Sequence, residues 1–300
     1  EAGLFGLAVP EEHGGVGLRP VELALGMVEA GRHAAPGPLV ETTAAAVLLG
    51  GAEAPGADGG RAAARIAGGA LAVSLAPPPW APHALDADWA GAVLVLEGGS
   101  VHAAEPVELL ESLDPARRLW RVRATAPLTG GPHVDTAALA FDLAVLCCAA
   151  QALGVGERLL EATVEHVKTR HQFGQAVGGF QAVRHRLADT ATALRFARPL
   201  VLGAAAAFGP TDALRARDVS AAKAAACDAA HTAARTALQL HGAIGYTDEF
   251  PPSLWIRKAH ALRRAWGSPS AHRARVLEAL DRAAAPDGRA PVRRTGAAAR

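Results

Sequence analysis

The sequence predicts a mainly α-helical protein with a small β-domain and an antiparallel helix bundle in its C-terminal half. From residue 134 onward, Leu139, Leu143, Leu146, Leu153, Leu159, Leu160, Val164 and Val167 recur every three to four positions, the period of one long buried helix. Between residues 53 and 130, glycine and proline punctuate short β-type runs. After the long helix come further Ala-rich helical stretches with short connections, the pattern of an up-and-down bundle.

Residues 1–52 read as an N-terminal helical domain that begins in mid-domain, truncated on its N-terminal side. Residues 3–17 form a glycine-punctuated loop. A helix over 20–31 opens on Pro20, whose missing N–H is no loss in a first turn, and aligns Leu23, Met27 and Val28 on one face. A second helix over 40–49 stops at Gly50 and Gly51. Residues 53–130 read as an abbreviated middle β-domain, with strands over 70–75, 92–96 and 119–124. Turns fall at Asp88-Trp89 and around Gly98-Gly99. Pro77, Pro78 and Pro79 have no ladder donors, so that stretch is no central strand. Residues 131–285 read as the bundle. Gly154 and Gly156 weaken its first helix as a helix and therefore predict close packing against a neighbour. Further helices cover 180–202, 213–239 and 253–266, and another starts at 268. Residues 286–300 show no periodicity and read as a disordered tail.

The net charge of +1 and an aromatic content of 4% argue against nucleic acid or an anionic membrane as the main partner. Cys147, Cys148 and Cys227 lie in apolar helical stretches without metal-ligand spacing, which reads as buried free thiols in a reducing compartment. No apolar run reads as long and clean enough to span a bilayer, and the whole points to a cytoplasmic protein.

Two segments carry chemistry. Arg170, Gln172, Phe173 and Gly174 lie at the exit of the long helix, and Phe180-Gln181 restart the next one. Gln239, Leu240, His241, Gly242, Ala243 and Gly245 follow a second Ala-rich helix. Each segment joins polar or cationic side chains and amide donors to glycines that admit close backbone approach, which is what an anionic cofactor needs.

Together these segments resemble the flavin-diphosphate-binding segments of the acyl-CoA dehydrogenase family. Residues 6–15, Glu29, Gly31, Arg32, Pro36 and Pro38 extend the resemblance to the N-terminal domain. Residues 111–119 resemble the end of the middle domain in members from bacterial steroid catabolism, and 245–250, Trp266, Gly267 and His272 complete the C-terminal match. The resemblance implies FAD as cofactor, held through Arg170, Gln172, Phe173, Val177, Phe180, Gln239, Leu240, Gly242 and Ala243. Ala243 stands where a glycine is frequent.

The family's reaction needs a carboxylate to take the α-proton of an acyl-CoA. By resemblance that carboxylate belongs at one of two places, matched here by Trp266 and by Ala144, and the basic residue beside the second is matched by Val145. The middle-domain segment that covers the flavin ring in relatives keeps little of its pattern in residues 73–80. Trp80 and Trp89 read as core residues. Glu157 and Glu161 read as helix-surface or interhelical charges.

The retained and missing parts imply a non-catalytic subunit of a heteromeric acyl-CoA dehydrogenase. It would pair with a related chain, as an α2β2 assembly, and share FAD with it. Two alternatives stay open: a self-sufficient enzyme using an unusual base, Glu249, and a flavin-free structural or binding protein on the same scaffold.

Overall fold

The computed structural model describes residues 3–51, 56–128, 134–209, 214–247 and 250–284. Helix α1 (Pro20–Arg32) opens on its proline and buries Leu23, Ala24, Met27, Val28 and Gly31. Helix α2 (Leu39–Gly50) is mostly apolar and buried from Val40 to its end, with Glu41, Thr42 and Thr43 enclosed along with its apolar residues. Helix α3 (Gly56–Ala67) was not expected in a stretch that reads as β. Its glycines hide it, but Ala63 and Ile66, three residues apart on one face, are fully buried and anchor it beside α2.

Five strands make the main sheet: β1 (Val73–Ala76), β2 (Ala84–Leu85), β3 (Ala92–Glu97), β4 (Ser100–Leu110) and β5 (Leu119–Pro127). Their order is β1-β3-β4-β5-β2; β1 and β3 are parallel and the other pairs antiparallel. Strand β1 stops at Pro77, as the proline run requires. Strand β4 was missed because it contains Pro106. The ladder shifts register between Pro106 and Glu108, so the missing N–H falls where pairing is already irregular. Trp89 is 69% exposed, so it is not the core residue the sequence suggested.

Helix α4 (Val134–Thr169) is the axis of the molecule and packs against α1, α2, α5, α6 and α7. The close packing expected at its glycines is present. A Cβ on Gly154 would lie 1.9 Å from the Val28 carbonyl oxygen, and one on Gly156 would lie 2.6 Å from Leu194 Cδ2. Contrary to expectation, α4 is long and apolar enough to cross a bilayer. The share of its most apolar window buried inside the protein is 83%, which marks it as a core helix.

Helices α5 (Gln181–Ala206), α6 (Arg215–His241), α7 (Ser253–Arg264) and α8 (Pro269–Ala284) complete the bundle. Buried Asp142 accepts from Arg215 Nε at 2.8 Å and from Arg275, tying α4 to α6 and α8. Glu157 pairs with Arg198 on α5, and Glu161 with Arg32 on α1, so both are interhelical charges. All three cysteines are free and buried. Residues 286–300 lie outside the described residues.

Candidate functional site

After Thr169 the chain makes a two-residue hairpin between β6 (His171–Gln172) and β7 (Gln175–Ala176). Phe173 (φ 53°) and Gly174 (φ 80°) both take left-handed backbone, as a type I′ turn demands. The Phe173 side chain is 91% exposed and meets Phe180 edge-on at 6.3 Å. Val177 N–H donates to the Arg170 carbonyl at 2.8 Å, which folds Val177 and Phe180 back beside Arg170. The Arg170 guanidinium is exposed and makes no hydrogen bond or ion pair among the described residues. Gln172 is also exposed, and its amide donates to the His171 carbonyl at 2.8 Å. Arg170, Gln172, Phe173, Val177 and Phe180 therefore share one corner.

Helix α6 ends at His241, and Gly242 (φ 66°) redirects the chain into a short 3-10 turn, Gly242–Tyr246. Gln239, Gly242 and Ala243 are exposed, Leu240 is half-buried, and the space around Gly242 is open. His241 points inward. Its Nδ1–H donates to the Ala237 carbonyl at 2.7 Å, and its ring lies 4.1 Å from that of His166 on α4. Burial lowers the pKa of both rings, so the stack forms between neutral imidazoles. The stack joins the end of α4 to the end of α6, so both segments stand at one end of the bundle. Gln239 also lines a groove of about 690 Å³ between α5 and α6, together with Arg186 and Arg235.

The two positions where the resemblance looks for a base hold no carboxylate. Ala144 and Val145 are fully buried in α4. Trp266 is 1% exposed and packs in an aromatic cluster, with Phe141 at 6.0 Å and Trp80 5.2 Å beyond it. Trp80 lies so close to Gly267 that a Cβ there would sit 2.7 Å from its ring. His272 Nε2–H donates to the Trp266 carbonyl at 2.8 Å, while Nδ1 pairs with Ser220 Oγ at 3.1 Å. Burial holds the His272 pKa down at about 4. Glu249 lies outside the described residues.

One carboxylate was missed by sequence reasoning. Glu41 on α2 is 5% exposed and accepts from Trp266 Nε1–H at 3.1 Å. Burial raises its pKa, and the charge of Arg117 opposes that shift. It lines a cavity of about 780 Å³ between the sheet and the bundle, with Trp80, Arg117, Arg264 and Trp266 among the other walls. The available signal was a single acid, followed by two threonines, inside a helix that is otherwise apolar.

A family model described as the acyl-CoA dehydrogenase C-terminal domain matches residues 134–280. Acyl-CoA dehydrogenase IpdE2 of Mycobacterium tuberculosis is 35% identical over 276 residues, covering 90% of this chain and 80% of the relative. The chain belongs to the acyl-CoA dehydrogenase family. The family is one of FAD-using oxidoreductases. The fold agrees. A variant of the Tcur3481–Tcur3483 steroid ACAD superposes with a TM-score of 0.81 at 23% identity, covering 94% of this chain and 87% of that one. The ChsE4–ChsE5 complex from Mycobacterium tuberculosis gives 0.76 at 23% identity, covering 95% and 86%.

Proposed function

We propose that this chain is a non-catalytic acyl-CoA dehydrogenase subunit. It supplies the FAD-diphosphate half of a site shared with a related chain, two copies of each making the assembly. The observation that carries the reading is an exposed, donor-rich corner at Arg170 and Gln239 in a chain whose two base positions hold buried Trp266 and Ala144.

The donor set fits FAD. The unpaired Arg170 guanidinium and the exposed amides of Gln172 and Gln239 suit phosphate oxygens. Open space around Gly242, with only a methyl group at Ala243, lets backbone N–H groups approach the same anion. Phe173, Val177, Phe180 and Leu240 would give the cofactor an apolar bed. Bound FAD supplies the two-electron acceptor for α,β-desaturation of an acyl-CoA thioester. The steroid ACAD and the two-component complex among the structural neighbours support a bulky acyl group and a partner chain.

Distance supports sharing. Phe141, beside the central cavity, and Thr169, at the hairpin, stand roughly 40 Å apart along α4 at a rise of about 1.5 Å per residue. One extended dinucleotide does not reach from one to the other. The test is the visible absorbance of the purified chain, alone and co-expressed with a candidate partner. A colourless chain that turns yellow only in complex, at about one flavin per pair of chains, is expected. Near-stoichiometric flavin in the chain alone sinks the reading.

One observation favours a second reading, a self-sufficient enzyme with an unfamiliar base: the Glu41 carboxyl at the wall of the cavity, bonded to Trp266. That reading requires flavin in the isolated chain and turnover that disappears in Glu41→Gln.

A further inference from the structure

The central cavity has a polar arrangement that the flavin-binding corner does not explain. Arg117 sits on the loop between β4 and β5, which Asp114 shapes: Asp114 Oδ1 accepts from Ala116 N–H at 3.1 Å, and its carbonyl accepts from Arg117 N–H at 2.9 Å. The loop so fixed leaves the Arg117 side chain half-buried on the cavity wall. Arg117 also lines a small crevice with Glu41, Cys148, Lys258 and Leu262, so it faces inward, toward the bundle. It nevertheless makes no hydrogen bond or ion pair among the described residues. An inward-facing guanidinium offers a planar fork of donors, and a carboxylate matches that fork better than any neutral group does.

The surroundings narrow the ligand further. Trp80, Leu113, Leu119 and Trp266 give the cavity apolar surface, and Glu111, His260 and Arg264 line it as well. Leu113 is 66% exposed and Trp80 half-buried, so both have free surface for a hydrocarbon body. The volume of about 780 Å³ is ample for a small amphipathic molecule. Glu41 lies at the same wall. Its carboxyl is already engaged by Trp266 Nε1–H at 3.1 Å, and burial raises its pKa against the opposing charge of Arg117.

We propose that this cavity binds an apolar organic acid, its carboxylate held by the Arg117 guanidinium and its hydrocarbon body resting on Trp80 and Leu113. The site is separate from the Arg170 and Gln239 corner and does not rest on the shared-flavin reading.

The test uses the whole 300-residue chain and three probes: decanoate, decanol as the same body without charge, and decanoyl-CoA as the thioester form. Calorimetry and tryptophan fluorescence report binding. One decanoate per chain is expected, bound about tenfold or more tighter than decanol. Arg117→Gln should bring decanoate down to the affinity of decanol and leave decanol unchanged. Arg117→Lys should fall between, because it keeps the charge and loses the fork. Equal binding of decanoate and decanol by the parent chain overturns the proposal without recourse to any variant, so a poorly folding Arg117→Gln does not shield it. Decanoate binding undiminished in a folded Arg117→Gln also overturns it. So does decanoyl-CoA binding that outcompetes decanoate and ignores Arg117, since the cavity is then a thioester pocket. Flavin content of the partnered complex, read separately by absorbance, keeps the outcome for the shared site distinct from this one.

Discussion

Phe173 carries left-handed backbone with its ring almost wholly in solvent, and neither is favourable for an aromatic residue. Such strain persists where the ring has a use in an assembly. Phe173→Gly should therefore stabilise the isolated chain by about 1 kcal/mol in urea unfolding and weaken its complex with a flavin-bearing partner. A variant that associates as tightly as the parent argues against a role for the ring. His272 makes a different prediction. Its folded pKa of about 4 lies below the unfolded value of about 6.5. The unfolded chain thus binds a proton first, and stability present above pH 6.5 is lost as pH falls toward 4. The loss is about 3 kcal/mol from this residue alone. His166, His231, His241 and His260, all lowered chiefly by burial, act in the same direction. Urea titrations at pH 7.5 and 4.5 should show a smaller pH difference in His272→Gln than in the parent.

Helices α1 and α4 meet backbone to backbone. Gly154→Ala places a methyl group on the Val28 carbonyl and should destabilise by about 3 kcal/mol or more, read as a lower urea midpoint. Gly203→Ala, in open space on α5, should instead stabilise by about 0.5–1 kcal/mol. Asp142→Asn leaves Arg215 and Arg275 without their shared anion and should cost about 3–5 kcal/mol. The legible elements were those whose pattern depends on their own residues. The three-to-four residue period marked α4, helical stretches with short connections marked α5 to α8, Pro20 marked the start of α1, and the proline run marked the end of β1. The illegible ones depend on distant partners. Helix α3 is anchored through Ala63 and Ile66 despite its glycines, and β4 keeps Pro106 because the ladder breaks there. Glu41 escaped notice because its meaning comes from Trp266, which packs against it from the far end of the chain. The corner proposed for FAD was easier to single out, since its glycines, Arg170 and Gln239 sit in two short segments.

At the scale of the molecule, α4 sets two chemistries apart. Its N-terminal third packs at Phe141 against Trp80 and Trp266 of the cavity wall, and its C-terminal end delivers the hairpin. A mixed assembly should therefore carry flavin in proportion to its partner copies, and adding more of this chain alone should yield no further yellow protein; titrating one chain into the other while following absorbance checks this. The separation also bears on how such a chain can change over generations. Because a rigid rod, rather than shared side chains, connects the two ends, substitutions at the cavity leave the geometry of the hairpin untouched. Under the proposed half-site reading, a duplicated gene built this way can surrender one trade and keep the other, and Trp266 in place of an acid is what such a surrender would leave behind.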